Sequence, residues 1–544
     1  MQPQPPNRTR AIVIAAVVCV FLVAAAMRTI ALDTIPMGFN QDEACNGYDA
    51  FSLLTTGHDH HGNLLPLVAQ GFNDYRMALF DYSLTPLIAL FGLGTWVVRL
   101  GAALWGIADL FALGIIAMEL IGAPAAPIAV IFAALSPWHL MLSRMGLEVT
   151  AAASTIDWAI ACFLIAAVRR RERWLIASGI LFGISLYSYS ITKLATPLMM
   201  GWLALIYRRE LKSMARSAAA WTVAFALVAL PQVWLFASRS TEMAVRFHQR
   251  SILNDSGWPI EFVSNWLDHF RPDFLFGAGS WMFLHPRQLV MLFPAQAILA
   301  IAGIAAVFAK QYRRTAWILI GWLAIVTAPG SILTPGSSPH PLHDFLLVSP
   351  WALLAALGVM VVIEIGGSRR KDESGGVSGA GLTVAGAILL FAMMQGINSA
   401  IYYFTEFPAA SAALYQYGIE DIIRSAERLA APGEPIVLPL TLNQPYIYVL
   451  FFDAYPARRF YSEPVTHDPR IFGQVLAFDR YRFGDPWVEF QKLPHGVFVF
   501  PTTIENPFQT NPTSSSASTV NKPPPATPAT TLKFGGDTYS IVVK

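Results

Sequence analysis

Eleven apolar runs decide what this chain can fold into, because each is long enough, or nearly so, to span a hydrocarbon layer of ~30 Å. They lie at roughly 11–32, 98–119, 124–142, 150–168, 174–191, 194–207, 217–237, 289–309, 315–333, 345–365 and 379–398. Hydrophobic residues make up 55% of the 544 positions and charged residues 13%, with a mean hydropathy of +0.48, values of polytopic membrane proteins rather than of soluble domains. A net charge of +2 gives no pull toward nucleic acid. Of three cysteines, Cys19 and Cys162 sit in apolar runs and Cys45 in a loop, so no disulfide framework is expected. The first run follows Arg8 and Arg10, is long for a signal segment and lacks a clear small-residue cleavage site, so it is expected to be retained as a transmembrane helix.

Basic clusters set the orientation. Arg8/Arg10, Arg169–Arg173, Arg208–Lys212, Lys310–Arg314 and Arg369–Lys371 all fall on one side, the cytoplasmic one, if all eleven runs cross. A further segment, Ala78 to Leu93, is apolar but short and carries Asp81; a crossing there would put the first clusters on opposite sides, so it is expected to be a juxtamembrane or re-entrant helix. Long external loops follow at about 33–97 and 238–288, in a transmembrane domain of residues 1–400.

From residue 401 to 544 the composition becomes that of an external α/β domain, expected on the side opposite the basic clusters. A helix at 411–430 precedes strand-like runs at 434–440, 446–452, 496–500 and 538–543. Residues 506–532, rich in Pro, Ser and Thr, read as a disordered insertion.

The residues that could do chemistry gather in the loops. Asp42 and Glu43 are adjacent acids just past the first run, a pairing with a repulsion and desolvation cost. They read as a general base beside a substrate-orienting acid, or as a solvated acidic loop. Gly57-His-Asp-His-His-Gly62 invites a metal, but neighbouring side chains in a loop rarely converge on one ion and no second ligand set stands at a recognisable spacing, so no metal is required and a divalent cation is not supported. Asp74, Tyr75 and Arg76 could grip a sugar or anchor the chain at the membrane interface. Arg144 and Glu148 would share a face if the chain is helical there, offering a cation to a phosphate and an acid to a hydroxyl, or simply a rim salt bridge. Lys193 is a lone external cation that departs from the positive-inside trend, which favours a specific anionic partner. The 339–344 loop adds His340 and His343.

In order and topological side, these pieces resemble the GT-C superfamily of polyprenyl-phosphate-sugar-dependent glycosyltransferases, in particular bacterial relatives of protein O-mannosyltransferases and of the lipid A aminoarabinose transferase. The resemblance rests on Asp42-Glu43 in a long first loop, Gly62–Pro66 to Asn73–Tyr75, Phe91-Gly92 with Arg99, Ser136-Pro-Trp138 with Arg144 and Glu148, Tyr189 with Lys193 and Pro197, and Phe274–Phe276. It covers about the first 350 residues.

The resemblance implies inverting transfer, with Asp42 deprotonating the acceptor hydroxyl and Glu43 beside it. Arg144 and Lys193 would bind the donor phosphate, and Asp74, Tyr75, Arg76, Arg99, Glu148 and His343 the substrates. The donor is a polyprenyl-phosphate-linked sugar entering from the membrane lipid; the acceptor is a glycan, a lipid or a protein. Where many relatives carry an arginine after the ninth span, this chain has His340 and His343. The rivals are a non-catalytic glycolipid-binding relative and a transporter of lipid-linked sugars. A transporter would place ionisable groups at midplane and be built from repeats, whereas the charges are expected at the rims and no repeat is evident.

Overall fold

The computed structural model describes residues 7–72, 75–238, 251–277, 289–334, 338–368, 379–468, 474–503, 523–534 and 537–544. Every one of the eleven apolar runs carries a helix: Asn7–Thr29, Thr95–Leu120, Ala125–Leu135 continued by Pro137–Leu142, Val149–Arg169, Arg173–Ser185, Thr192–Ile206, Ala215–Ser238, Pro294–Ala305, Arg313–Ser331, Val348–Ser368 and Gly379–Thr405. Among the described residues, five helices are long and apolar enough to cross a membrane by length and composition. The third run breaks at Pro137, whose ring cannot continue a helix; the Ser136 hydroxyl accepts from the His139 N–H at 3.4 Å and starts the next one.

The chain forms two compact units. The first, residues 1–30, 102–144 and 148–403, is built of helices and has no named strand among its described residues. Small residues let its helices approach closely: a Cβ on Gly358 would lie 1.8 Å from the Leu299 carbonyl oxygen, so the Pro294–Ala305 and Val348–Ser368 helices touch backbone to backbone.

The second unit gathers residues 31–101, 145–147 and 404–544, so the loop carrying Asp42 and Glu43 folds with the C-terminal region. A short hairpin joins β1 (Val68–Gln70) to β2 (Tyr75–Met77). The main sheet comprises β3 (Ile436–Pro439), β4 (Thr466–Asp468), β5 (Gln474–Phe478), β6 (Tyr481–Gly484), β7 (Val497–Thr503), β8 (Thr530–Phe534) and β9 (Asp537–Val543), in the order β4-β5-β6-β3-β7-β9-β8. Only the central β3 runs parallel to its neighbours, β6 and β7. Val437, Trp487, Phe498, Phe500 and Val542 form its core.

Several expectations change. Residues 446–452, read as a strand, are the helix Pro445–Phe452: Pro445 opens it and its residues from Pro445 to Phe451 are all buried, so the apolar run shows neither period. The expected disordered insertion lies outside the described residues up to 522, but its far end enters β8, which pairs with β9. The Ala78–Leu93 segment holds a helix of 13 residues, Leu79–Phe91, about 20 Å long at ~1.5 Å per residue, too short for a ~30 Å core. The expectation that charges keep to the rims is overturned: Arg28, Asp109 and Asp157 lie within apolar helices and are buried.

Candidate active site

The stretch 40–43 is a helix start. Asn40 caps the Gln41–Thr56 helix, accepting from the Asp42 N–H at 2.8 Å, while the Glu43 carboxylate accepts from the Asn40 N–H at 3.1 Å. This reciprocal capping box places both acids in the first turn, where the helix dipole favours negative charge. Successive side chains on a helix diverge by about 100°, and the two acids meet different surroundings.

Glu43 is wholly enclosed. Besides Asn40, it accepts from Arg99 Nε at 3.0 Å, Arg99 Nη2 at 3.3 Å and the Gly146 N–H at 2.7 Å. Arg99 in turn donates to the carbonyls of Leu32 and Pro36, both at 2.9 Å, and of Gly38 at 2.5 Å, so all five guanidinium hydrogens are used. The pair pins the turn that delivers Asp42, which is half-buried. Arg99 therefore has no donor left for a substrate.

Nearly two turns later, Asp49 is buried between His60, whose Nδ1 lies 2.6 Å from Oδ1, and Arg76, which bonds Oδ2 and also reaches Asp81 at 3.4 Å. Burial opposes ionisation of Asp49, yet the neighbouring His60 and Arg76 outweigh it and hold its carboxyl below the usual range. Arg76 is thus committed to two carboxylates, Tyr75 lies half-buried on β2, and Asp74 falls outside the described residues.

The histidine loop has its own organiser. Asp59 accepts from the backbone N–H groups of His61 (3.0 Å) and Asn63 (2.9 Å) and from Asn63 Nδ2 (2.8 Å). Burial pushes His61 down to about 3, which leaves it neutral at pH 7. Among the described residues, Cys45, Asp49 and His60 are the one group whose ligand atoms come within 4.8 Å of one another, close enough to hold a metal ion. Arg76 already stands on Asp49 with a positive charge.

In the helical unit, the residues between Leu142 and Val149 are not helical, so Arg144 and Glu148 do not share a helix face as expected. Arg144 is fully buried, donating to the Met27 carbonyl at 2.7 Å and lying 5.7 Å from the Tyr403 ring centre. Glu148 is half-buried at the start of the Val149–Arg169 helix. Lys193 is half-buried, its ammonium 4.0 Å from the Phe236 ring centre, with no hydrogen bond or ion pair among the described residues. His343, also half-buried, meets the Tyr189 hydroxyl at 2.7 Å through Nδ1, the rings stacked at 5.9 Å.

Behind this loop, His269 faces the Asn265 carbonyl with Nδ1 (2.8 Å) and Asp344 with Nε2 (3.1 Å). The Ser338 hydroxyl also lies 3.1 Å from Nε2; burial alone would lower the pKa of this ring, but the Asp344 carboxylate outweighs it and favours the imidazolium.

The reading of the loops overlooked a buried chain within the apolar helices. Arg28 donates to His139 Nδ1 at 2.8 Å, which makes His139 the Nε2–H tautomer facing Asp109 at 3.1 Å, and Ser349 donates to Asp157 at 2.5 Å. Isolated ionisable residues inside apolar runs were its signal.

The helices, the large first loop and the C-terminal sheet region share the fold of the GT-C class of membrane glycosyltransferases. Residues 78–234 match the profile of the family described as dolichyl-phosphate-mannose-protein mannosyltransferase. The crystal structure of ArnT from Cupriavidus metallidurans bound to undecaprenyl phosphate aligns with a TM-score of 0.54 at 14% identity, over 99% of this chain and 98% of that one. Its apo form gives 0.53 and 14% over 98% of both chains. The archaeal oligosaccharyltransferase AglB from Archaeoglobus fulgidus, in complex with an inhibitory peptide and a dolichol-phosphate, gives 0.53 and 13% over 82% of this chain and 64% of its own. No curated protein matches the sequence. The resemblance drawn from the sequence is borne out by these matches.

Proposed function

We propose that the protein transfers a monosaccharide from a polyprenyl-phosphate donor to an acceptor hydroxyl, with inversion, on the extracytoplasmic side of an inner membrane. The observation that carries this reading is the unequal treatment of the two adjacent acids: Glu43 is enclosed and matched to Arg99, whereas Asp42 stands half-buried on the turn they pin. A carboxylate so positioned can take the acceptor proton as the hydroxyl oxygen attacks the anomeric carbon. The leaving lipid phosphate already bears its charge, so a cation can stabilise it without a general acid. Lys193, which has no ion pair among the described residues, suits that task, with the Tyr189–His343 pair close by in sequence and loop. Arg144, expected beside it, is enclosed and better suited to holding the helix ends.

The buried charges within the helices would favour a transporter of lipid-linked sugars, but Arg28, His139 and Asp109 bond one another rather than lining an open path. The match of the family profile over 78–234 and the fold shared with ArnT support transfer over transport.

The test is turnover of a polyprenyl-phosphate sugar in liposomes. Asp42→Asn should keep the fold and the donor affinity while lowering turnover by about 10²–10⁴, the usual effect of removing a general base. Near-normal turnover in Asp42→Asn would end this mechanism.

A further inference from the structure

The helical unit contains a polar cavity that the proposed transfer does not use. It measures about 350 Å³, at the lower end for small-ligand pockets, and is lined among others by Glu119, Arg170, Tyr207, Glu210, Gln311 and Arg314. These residues mark where the Thr95–Leu120, Val149–Arg169 and Thr192–Ile206 helices end and the Arg313–Ser331 helix begins.

Charge at this end is one-sided. Residues 168–174, 207–216 and 310–315 hold eleven Arg and Lys side chains against Glu172 and Glu210, with Glu119 in the lining and Glu364, which accepts from Gln311, adding two more acids. The two acids of the lining are already matched. Glu119 pairs with Arg169 at 2.5 Å and Glu210 with Arg314 at 2.7 Å, and Arg314 is further fixed by the Tyr207 ring 3.8 Å beneath it and by the Ile206 carbonyl at 3.2 Å.

That leaves Arg170. Among the described residues its guanidinium makes one hydrogen bond, to Ser213 Oγ at 2.7 Å, so most of its five N–H groups remain available. Its backbone is left-handed, φ 57 and ψ 32, closing the Val149–Arg169 helix where glycine is the usual residue. An arginine held in a glycine conformation and lining a polar cavity, with a single hydrogen bond and a Glu210 carboxylate that it shares with Arg314, keeps N–H groups to offer an anion.

The surroundings say which anion. Val168, which lines the cavity, is 47% exposed, and Leu205, two residues before Tyr207, is 52% exposed; both are apolar faces suited to acyl chains. We propose that this cavity binds the headgroup of an anionic phospholipid, the phosphodiester on Arg170 and the headgroup hydroxyls on the Glu210 and Gln311 oxygens. This matches the recognition of anionic headgroups by basic pockets between membrane helices. It is independent of the transfer site.

The full-length protein in detergent, stripped of lipid, would be titrated with phosphatidylglycerol, with phosphatidylcholine and with inorganic phosphate, following thermal stability and the lipids retained in native mass spectrometry. Phosphatidylglycerol should stabilise the protein and be retained, and the other two should not. Arg170→Gly removes the guanidinium while suiting the left-handed backbone, and should weaken phosphatidylglycerol about tenfold, the loss of one charge-assisted contact. Arg170→Lys should restore most of the affinity, and Arg208→Gln, a basic residue outside the cavity, should leave it unchanged. Equal stabilisation by inorganic phosphate would assign the cavity to a soluble anion and overturn the proposal. So would an equal loss in Arg208→Gln, which would mean diffuse surface charge, or an Arg170→Gly variant that binds like the parent.

Discussion

Replacing Glu43 by Gln separates the two acids by what each does to folding. Glu43 accepts four hydrogen bonds, from Asn40, Gly146 and two Arg99 nitrogens, at 2.7 to 3.3 Å and without solvent access. A glutamine has one oxygen, so its amide nitrogen must face two of those four donors whichever way it turns, and Arg99 loses its charge partner. Breaking a buried pair by removing one member costs roughly 3–5 kcal/mol, a large share of the ~5–15 kcal/mol that holds a typical protein folded. Asp42→Asn, at a half-buried position, should cost under about 1 kcal/mol.

The assay is a thermal melt in detergent alongside turnover normalised to folded protein. Glu43→Gln should melt well below the parent and keep turnover per folded molecule within about tenfold at low temperature, while Asp42→Asn should melt like the parent and be inactive. A double change, Glu43→Leu with Arg99→Leu, should recover part of the loss because no charge is left alone, but not all, because the Leu32, Pro36 and Gly38 carbonyls lose their donor. If Glu43→Gln melts with the parent while its turnover vanishes, Glu43 acts on substrate and the capping role assigned to it is wrong.

Lys193→Gln should weaken lipid-phosphate donor binding by ~1.5–3 kcal/mol without lowering the melting temperature, whereas Arg144→Gln should mainly destabilise, read by donor titration and melting of the same samples. Reporter fusions at Asp74 and Thr95 should report the same side of the membrane, since the intervening Leu79–Phe91 helix is too short to cross; opposite sides would overturn the topology. In the C-terminal region, burial and the adjacent Asp453 raise Glu427 to about 7. Its folded pKa exceeds the unfolded one, so the folded state binds the proton more tightly and this group's contribution is lost as pH rises from about 4.5 to 7. Glu427→Gln, fixed in the protonated shape, should melt like the parent near pH 4.5 and above it at pH 8, by about 1 kcal/mol after allowance for partial exposure. A gap of the opposite sign would refute the assignment.

The helices were legible because lipid leaves a chain few options: each apolar run had to satisfy its own backbone, and all eleven carry helices. The C-terminal region was less so. The all-apolar run 446–452 has no period to separate strand from helix, and the residue that decides it, Pro445, stands one position before the run. In the candidate site, Asn40-Gln-Asp-Glu43 spells a capping box, a local signal that assigns Glu43 to the helix start and was available without any structure. What no local pattern could give is the partner: Arg99 lies 56 residues away and Gly146 103 residues away, brought together only by the fold. The same holds for His60 and Arg76, which meet on Asp49 from 11 and 27 residues away.

The buried Arg28–His139–Asp109 chain bears on why a membrane enzyme would keep ionisable groups among its helices. Each group alone would be costly in lipid. Joined, the Arg28 charge is passed through a neutral imidazole to a carboxylate, and the three residues, on helices Asn7–Thr29, Pro137–Leu142 and Thr95–Leu120, fix those helices in one register that apolar packing alone would leave free to slip. Arg144 belongs to the same arrangement, because its bond to the Met27 carbonyl lands on the residue next to Arg28. Arg144, just past the end of the Pro137–Leu142 helix, is thereby tied to the N-terminal helix, and the cation that the sequence offers as a phosphate ligand is spent on that bond. In the proposed transfer the phosphate then falls to Lys193, whose ammonium rests on the Phe236 ring.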